Sequence, residues 1–113
     1  NKKIEKVTVH RAWCEQRGRV LLHRTSGDAK RLANLHELPT FEQIELAPDG
    51  HDFPLIAKKN RSITRYRITE MIYQVSVQRV PNSEELIWVP RAELESLSLS
   101  GPHRRWVREL LAQ

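Results

Sequence analysis

Lys58, Lys59, Arg61, Arg65 and Arg67 fall within ten residues of one another, with Tyr66 among them. Cations spaced this closely near an extended segment suit phosphates, because each phosphate they neutralise releases counterions. The same run could instead guard a solvated sheet edge against aggregation. The other chemistry-bearing residue types are scattered. His10, His23, His36, His51 and His103 include no pair at the i, i+4 spacing of a helical metal site, and only one cysteine, Cys14, accompanies them. The pattern therefore gives no zinc signature, and the imidazoles read as surface or partly buried side chains. Cys14 sits beside Trp13 late in an apolar segment, which makes it a small core residue rather than a nucleophile. Glu84 and Glu85 lie in a turn, while Glu93 and Glu95 point to different sides of a helix, so neither pair makes an acid/base couple. No Gly-rich phosphate loop and no Gly-x-Ser-x-Gly elbow occurs.

The elements that position these residues are legible from periodicity. Ile4 to Cys14 alternates and is β-branched, Glu15 to Gly18 turns, and Arg19 to Arg24 returns, so the chain is expected to open with a hairpin. Thr25 to Asn34 reads as a polar loop, and Leu35 to Pro39 as a short extended piece. Thr40 can cap one or two helical turns reaching Leu46, before Pro48 and Gly50 break the chain. The densest strand signal runs from Ile63 to Val80. Its apolar side changes from Tyr66, Ile68 and Ile72 to Met71, Tyr73, Val75 and Val77, which calls for a bulge or a strand covered on both faces. Leu86 to Val89 is a last short strand and Arg91 to Leu97 a helix. Ser100 is expected to cap a final helix, with Trp106, Val107, Leu110 and Leu111 on its apolar face. Trp13, Trp88 and Trp106 all read as core. The fold class is α+β (α/β/α), a mixed β-sheet flanked by a few helices with the longest one C-terminal.

Bulk properties narrow the setting. The 113 residues fit one domain, and 39% apolar with 29% charged residues is a globular composition. No stretch approaches the roughly 20 apolar residues of a membrane span, and Asn1 to Glu5, with no apolar run behind the lysines, does not read as a signal peptide. A single cysteine excludes an intrachain disulfide and points to a reducing, intracellular compartment, so a cytoplasmic location is expected. Nineteen Lys+Arg against 14 Asp+Glu give a net charge of +5, the footprint of a nucleic-acid binder. With no starting Met, the chain is expected to be part of something longer, and to be a monomer.

The order of segments resembles the C-terminal domain of the A/G-specific adenine glycosylases of the MutY type. Val20-Leu21-Leu22-His23-Arg24 is similar to that family's strand ending in a basic residue. Leu32 to Pro39 resembles its Leu-Trp-Glu-Phe-Pro stretch, with His36 and Leu38 in the places of the aromatics. Arg61 to Ile68 resembles the loop and strand carrying Phe-Ser/Thr-His, and Ile87 to Leu99 with the helix from Pro102 resembles the family's end. The resemblance covers nearly the whole chain and implies a Nudix-like fold. Nudix hydrolases hold magnesium on a helix bearing Arg-Glu and Glu-Glu. After Pro39 this chain offers only Glu42 and Glu45, so pyrophosphate hydrolysis is not expected.

The resemblance implies a domain, 1–113, that reads 8-oxoguanine opposite adenine in double-stranded DNA and has no catalytic residues or metal of its own. Ile63-Thr64-Arg65 is the implied lesion loop. Thr64 offers a hydroxyl and an amide to the damaged base's N7 hydrogen and C8 oxygen, Ile63 wedges beside the base, and Arg65 holds a phosphate. Ile63 replaces the family's aromatic and Arg65 its histidine, so stacking is weaker and the charge is fixed. Ser62, Arg61, Lys58, Lys59 and Arg67 complete the expected DNA-binding set. Adenine removal and an iron–sulfur cluster belong to the family's other, helical domain, the implied partner in cis. Two alternatives stay open: a stand-alone Nudix hydrolase with a degenerate box, and a Nudix-fold protein-interaction module.

Overall fold

β-Branched and apolar residues at alternate positions make Glu5–Trp13 (β1) a nine-residue strand, with its last residues buried. The computed structural model describes residues 3–25 and 35–113. Leu32-Ala33-Asn34 of the family-like stretch, and most of the expected polar loop, lie outside the described residues. After β1 come Glu15–Gln16 (β2), Arg19–Arg24 (β3), His36–Glu37 (β4), Leu55–Ile63 (β5), Tyr66–Gln74 (β6) and Leu86–Pro90 (β7). The only α-helix among the described residues, α1, is His103–Leu111.

Two sheets form. In one, β6 lies between β1, its parallel neighbour, and β5, its antiparallel one. In the other, β3 is central: β7 runs along one side of it, while β2 and β4 pair with opposite ends of the other. The expected opening hairpin forms only in part: the chain turns at Arg17–Gly18 and returns as β3, and Leu21 N donates to Cys14 O at 2.9 Å, but β1 pairs along its length with β6 instead of β3. Only the two residues of β2 pair with β3.

Alternation along the strands sends side chains into two cores. Trp13, Val20, Leu22 and Ile72 face Leu94, Trp106, Val107 and Leu110 of the C-terminal elements. Ala12, Cys14, Leu21, Tyr73 and Val75 face Phe41 and Ile44. Both faces of the central strands are therefore covered, as the shifting apolar side of the Ile63–Val80 segment predicts. That segment is not one strand, however. It contains a hairpin turn at Thr64–Arg65, and its regular pairing ends at Gln74. The irregularity sits in β5, between Leu55 and Ala57, rather than in β6.

Other expectations shift locally. Thr40 caps as expected and does so reciprocally: Gln43 N donates to Thr40 Oγ1 at 3.2 Å, and Thr40 N to Gln43 Oε1 at 2.9 Å. The box yields only a single 3-10 turn, Glu42–Ile44, because Glu45 swings to φ 59° and ends it. Arg91–Ser96 is also 3-10, with Leu94 as its buried residue. Ser100 does not cap α1 through its side chain; its carbonyl accepts from His103 N at 3.0 Å. Trp13 and Trp106 are buried but Trp88 only half so. His36 and His103 are buried rather than at the surface. Mixed sheets, few helices and a longest helix at the C-terminus match the predicted class.

Candidate functional site: the β5–β6 hairpin

The hairpin joins Ile63 to Tyr66 through two residues, Thr64 and Arg65. Thr64 has φ 49°, a left-handed conformation that a β-branched side chain adopts only at a cost of order 1–3 kcal/mol. Two-residue hairpins favour glycine or asparagine at such a position. Thr64, Ser62 and Ile63 are exposed, Ile63 at 46%. β1 fastens the turn from the side, as Glu5 N donates to Arg65 O at 2.9 Å. Arg65 folds back over the Tyr66 ring, 5.3 Å from its centroid. Its guanidinium donates to the Tyr66 hydroxyl at 3.3 Å and lies 3.8 Å from Glu5.

Residues paired across strands share a face, and this divides the basic run. Lys59 pairs with Glu70 and Arg61 with Ile68, on the face that packs toward α1. There Lys59 bonds Glu109, and that bond, with the charges of Lys59 and Arg105, holds the Glu109 carboxyl below the usual carboxylate range. Arg61 Nε lies 2.8 Å from the fully buried Glu70, as an ion pair not aligned as a hydrogen bond. Arg11 bonds the same carboxylate and donates to Leu38 O at 2.6 Å. The sequence-expected DNA ligands Lys59 and Arg61 thus each make an ion pair within the protein, with Glu109 and Glu70.

The opposite face carries Lys58, Asn60 and Ser62 on β5, Arg67 and Thr69 on β6, and Lys6 and Thr8 on β1. Ser62 and Lys6 both pair with Arg67, so the three strands meet there. Lys6, Lys58 and Arg67 are exposed and in no ion pair among the described residues. Thr69 donates to Asn60 Oδ1 at 2.9 Å, fixing one rung of this polar stripe. Sequence reading missed Lys6, since only strand pairing brings it beside a residue far along the chain. On the same face a cleft of about 630 Å³ opens beside β1, with His10 and Phe41 on its wall and Glu42 and Glu45 among its lining.

Beneath the hairpin lies the other titratable cluster. Leu38 N donates to His103 Nδ1 at 3.2 Å, so the imidazole proton sits on Nε2, 4.0 Å from Glu37. Burial, with the charges of Arg11 and Arg61, lowers the His103 pKa to about 3. Burial likewise raises Cys14 against a weaker opposing hydrogen bond with Val77, keeping it a thiol. Among the described residues, no three His, Cys, Asp or Glu side chains come together to hold a metal, and no helix is long and apolar enough to cross a membrane.

No family model and no curated protein matches the sequence. Solved structures do match. A MutT protein from Methanosarcina mazei aligns over 99% of this chain and 97% of its own, at 14% identity and TM-score 0.69. The ORF135 protein of E. coli aligns over 96% and 91%, at 15% identity and TM-score 0.67. Shewanella oneidensis NrtR, solved with a 27mer DNA, aligns over 94% of this chain and 61% of its own, at 14% identity and TM-score 0.60. Nudix hydrolases are among the further matches, and the fold is Nudix-like.

Proposed function

We propose that this chain is a DNA-reading domain that recognises 8-oxoguanine opposite adenine for an adenine glycosylase and performs no chemistry itself. The observation that carries the reading is Thr64, a β-branched residue held left-handed at an exposed hairpin tip, on a sheet whose outer face carries Lys6, Lys58 and Arg67, exposed and in no ion pair among the described residues. Strain of this kind persists where the surroundings impose it, and it clusters at ligand contacts. Lys6, Lys58 and Arg67 supply sequence-independent affinity for the duplex backbone, and Ser62-Ile63-Thr64 supplies the base contact. NrtR lends support as a protein of this fold crystallised with DNA.

A hydrolase is disfavoured because the segment after Pro39 is one 3-10 turn, which cannot align a helical row of metal-binding carboxylates. On this reading, adenine removal and an iron–sulfur cluster belong to a catalytic domain in the same longer protein. Clusters of that kind are held by several cysteines, and this chain has one, Cys14. The test is a fluorescence-anisotropy titration at two salt concentrations, comparing 8-oxoguanine:A and G:A duplexes with wild type and Thr64→Ala. Tighter binding of the oxidised duplex, lost in Thr64→Ala, is the expected result. Equal binding of both duplexes, abolished by salt, would reduce the domain to a basic surface.

A further inference from the structure

About 30 Å along β1 from the Thr64–Arg65 turn, the β2–β3 hairpin reverses through Arg17 and Gly18, at φ 53° and 75°. Two positive φ angles define a type I′ turn, whose first position normally takes asparagine, aspartate or glycine. Here it carries an arginine. A cleft of about 550 Å³, within the range of small-ligand sites, is lined there by Gln16, Arg17, Arg19 and Trp88. Strand pairing explains the grouping. Gln16 lies opposite Arg19, and Arg19 lies diagonal to Trp88 across the β3–β7 ladder, so all three share a face. Gln16 is tied down by donating to Val77 O at 2.5 Å. Arg17 and Arg19 are exposed, and neither is in an ion pair among the described residues. Trp88 is the half-buried tryptophan of the three.

We propose that this cleft binds one unpaired nucleotide unit, its base stacked on Trp88 and its phosphate gripped by Arg17 and Arg19. An indole face accepts any base, and a planar guanidinium matches phosphate oxygens two at a time. The ligand chemistry is a base plus a phosphate, whether as a free nucleotide or as one residue of a single strand. The site is independent of the hairpin's reading of duplex DNA.

Trp13 and Trp106 are buried, so a ligand-induced change in tryptophan emission that is absent from Trp88→Phe is assigned to Trp88. Titration with dAMP is expected to quench emission saturably, whereas deoxyadenosine or inorganic phosphate alone binds at least tenfold more weakly. Arg17→Gly removes one cation and relieves the left-handed backbone, so the fold is retained. Combined with Arg19→Gln, it should weaken dAMP at least tenfold, while Thr64→Ala leaves dAMP binding unchanged. A hexamer of deoxyadenylate binding more tightly than dAMP assigns the site to a strand; equal affinity assigns it to free nucleotides, and both uphold it. Unchanged emission up to millimolar dAMP, or equal quenching in the doubly substituted protein, would overturn the proposal.

Discussion

Thr64 trades stability for shape, and the trade is measurable. Glycine adopts φ 49° without the β-branched clash, although it adds entropy to the unfolded chain. The balance favours glycine, so Thr64→Gly should raise stability by about 1 kcal/mol in urea denaturation while erasing any preference for the oxidised duplex. His103 makes the opposite kind of trade, with pH as its lever. Its folded pKa, about 3, lies below the unfolded value near 6.5, so the unfolded chain binds the extra proton between those limits. Stability from this group is complete above pH 6.5 and is lost as pH falls toward 3. Between pH 7 and pH 5 the wild type should lose about 2 kcal/mol that His103→Asn, keeping an acceptor for Leu38 N, does not lose. Urea titrations at the two pH values check this. The strain at Thr64 was invisible in the sequence: the family resemblance implied a loop at Ile63-Thr64-Arg65, but no glycine or asparagine there marks a left-handed residue.

At the scale of the strand, the pleat decides which cations are free. Lys58→Gln and Arg67→Gln should each lower the slope of log affinity against log salt by about 0.9, whereas Lys59→Gln should leave it unchanged. A full slope change in the Lys59 variant would mean that its bond to Glu109 opens on DNA. β5 itself went unrecognised in the sequence for a related reason. Its outward face is solvated and its inward face pairs charges, Lys59 with Glu109 and Arg61 with Glu70, so no apolar alternation betrays a strand. β1, β3, β7 and α1 were legible because each buries an apolar face. The capping box at Thr40 was legible as well, but not the brevity of its turn, which Glu45 sets by its backbone angle.

Across the whole molecule, two cores back to back carry the stability. Trp106 fills the one beneath α1, and Trp106→Ala should cost about 3–5 kcal/mol. That is a large share of the roughly 5–15 kcal/mol typical of a domain, and chemical denaturation would show it. The α+β class could be read from element order and the Nudix-like fold from the family resemblance, whereas the parallel β1–β6 pairing joins segments about sixty residues apart and leaves no local trace. That pairing also has a kinetic consequence. The β5–β6 hairpin closes a two-residue loop and can form within microseconds. β1 must search across most of the chain before it docks, a non-local step that slows folding. Thr64 and Arg67 are therefore in place early, while Lys6 joins them only when the sheet closes. If the hairpin reads DNA as proposed, a partly folded chain presents its tip without the complete basic stripe, and salt-dependent attachment is expected only once β1 has docked.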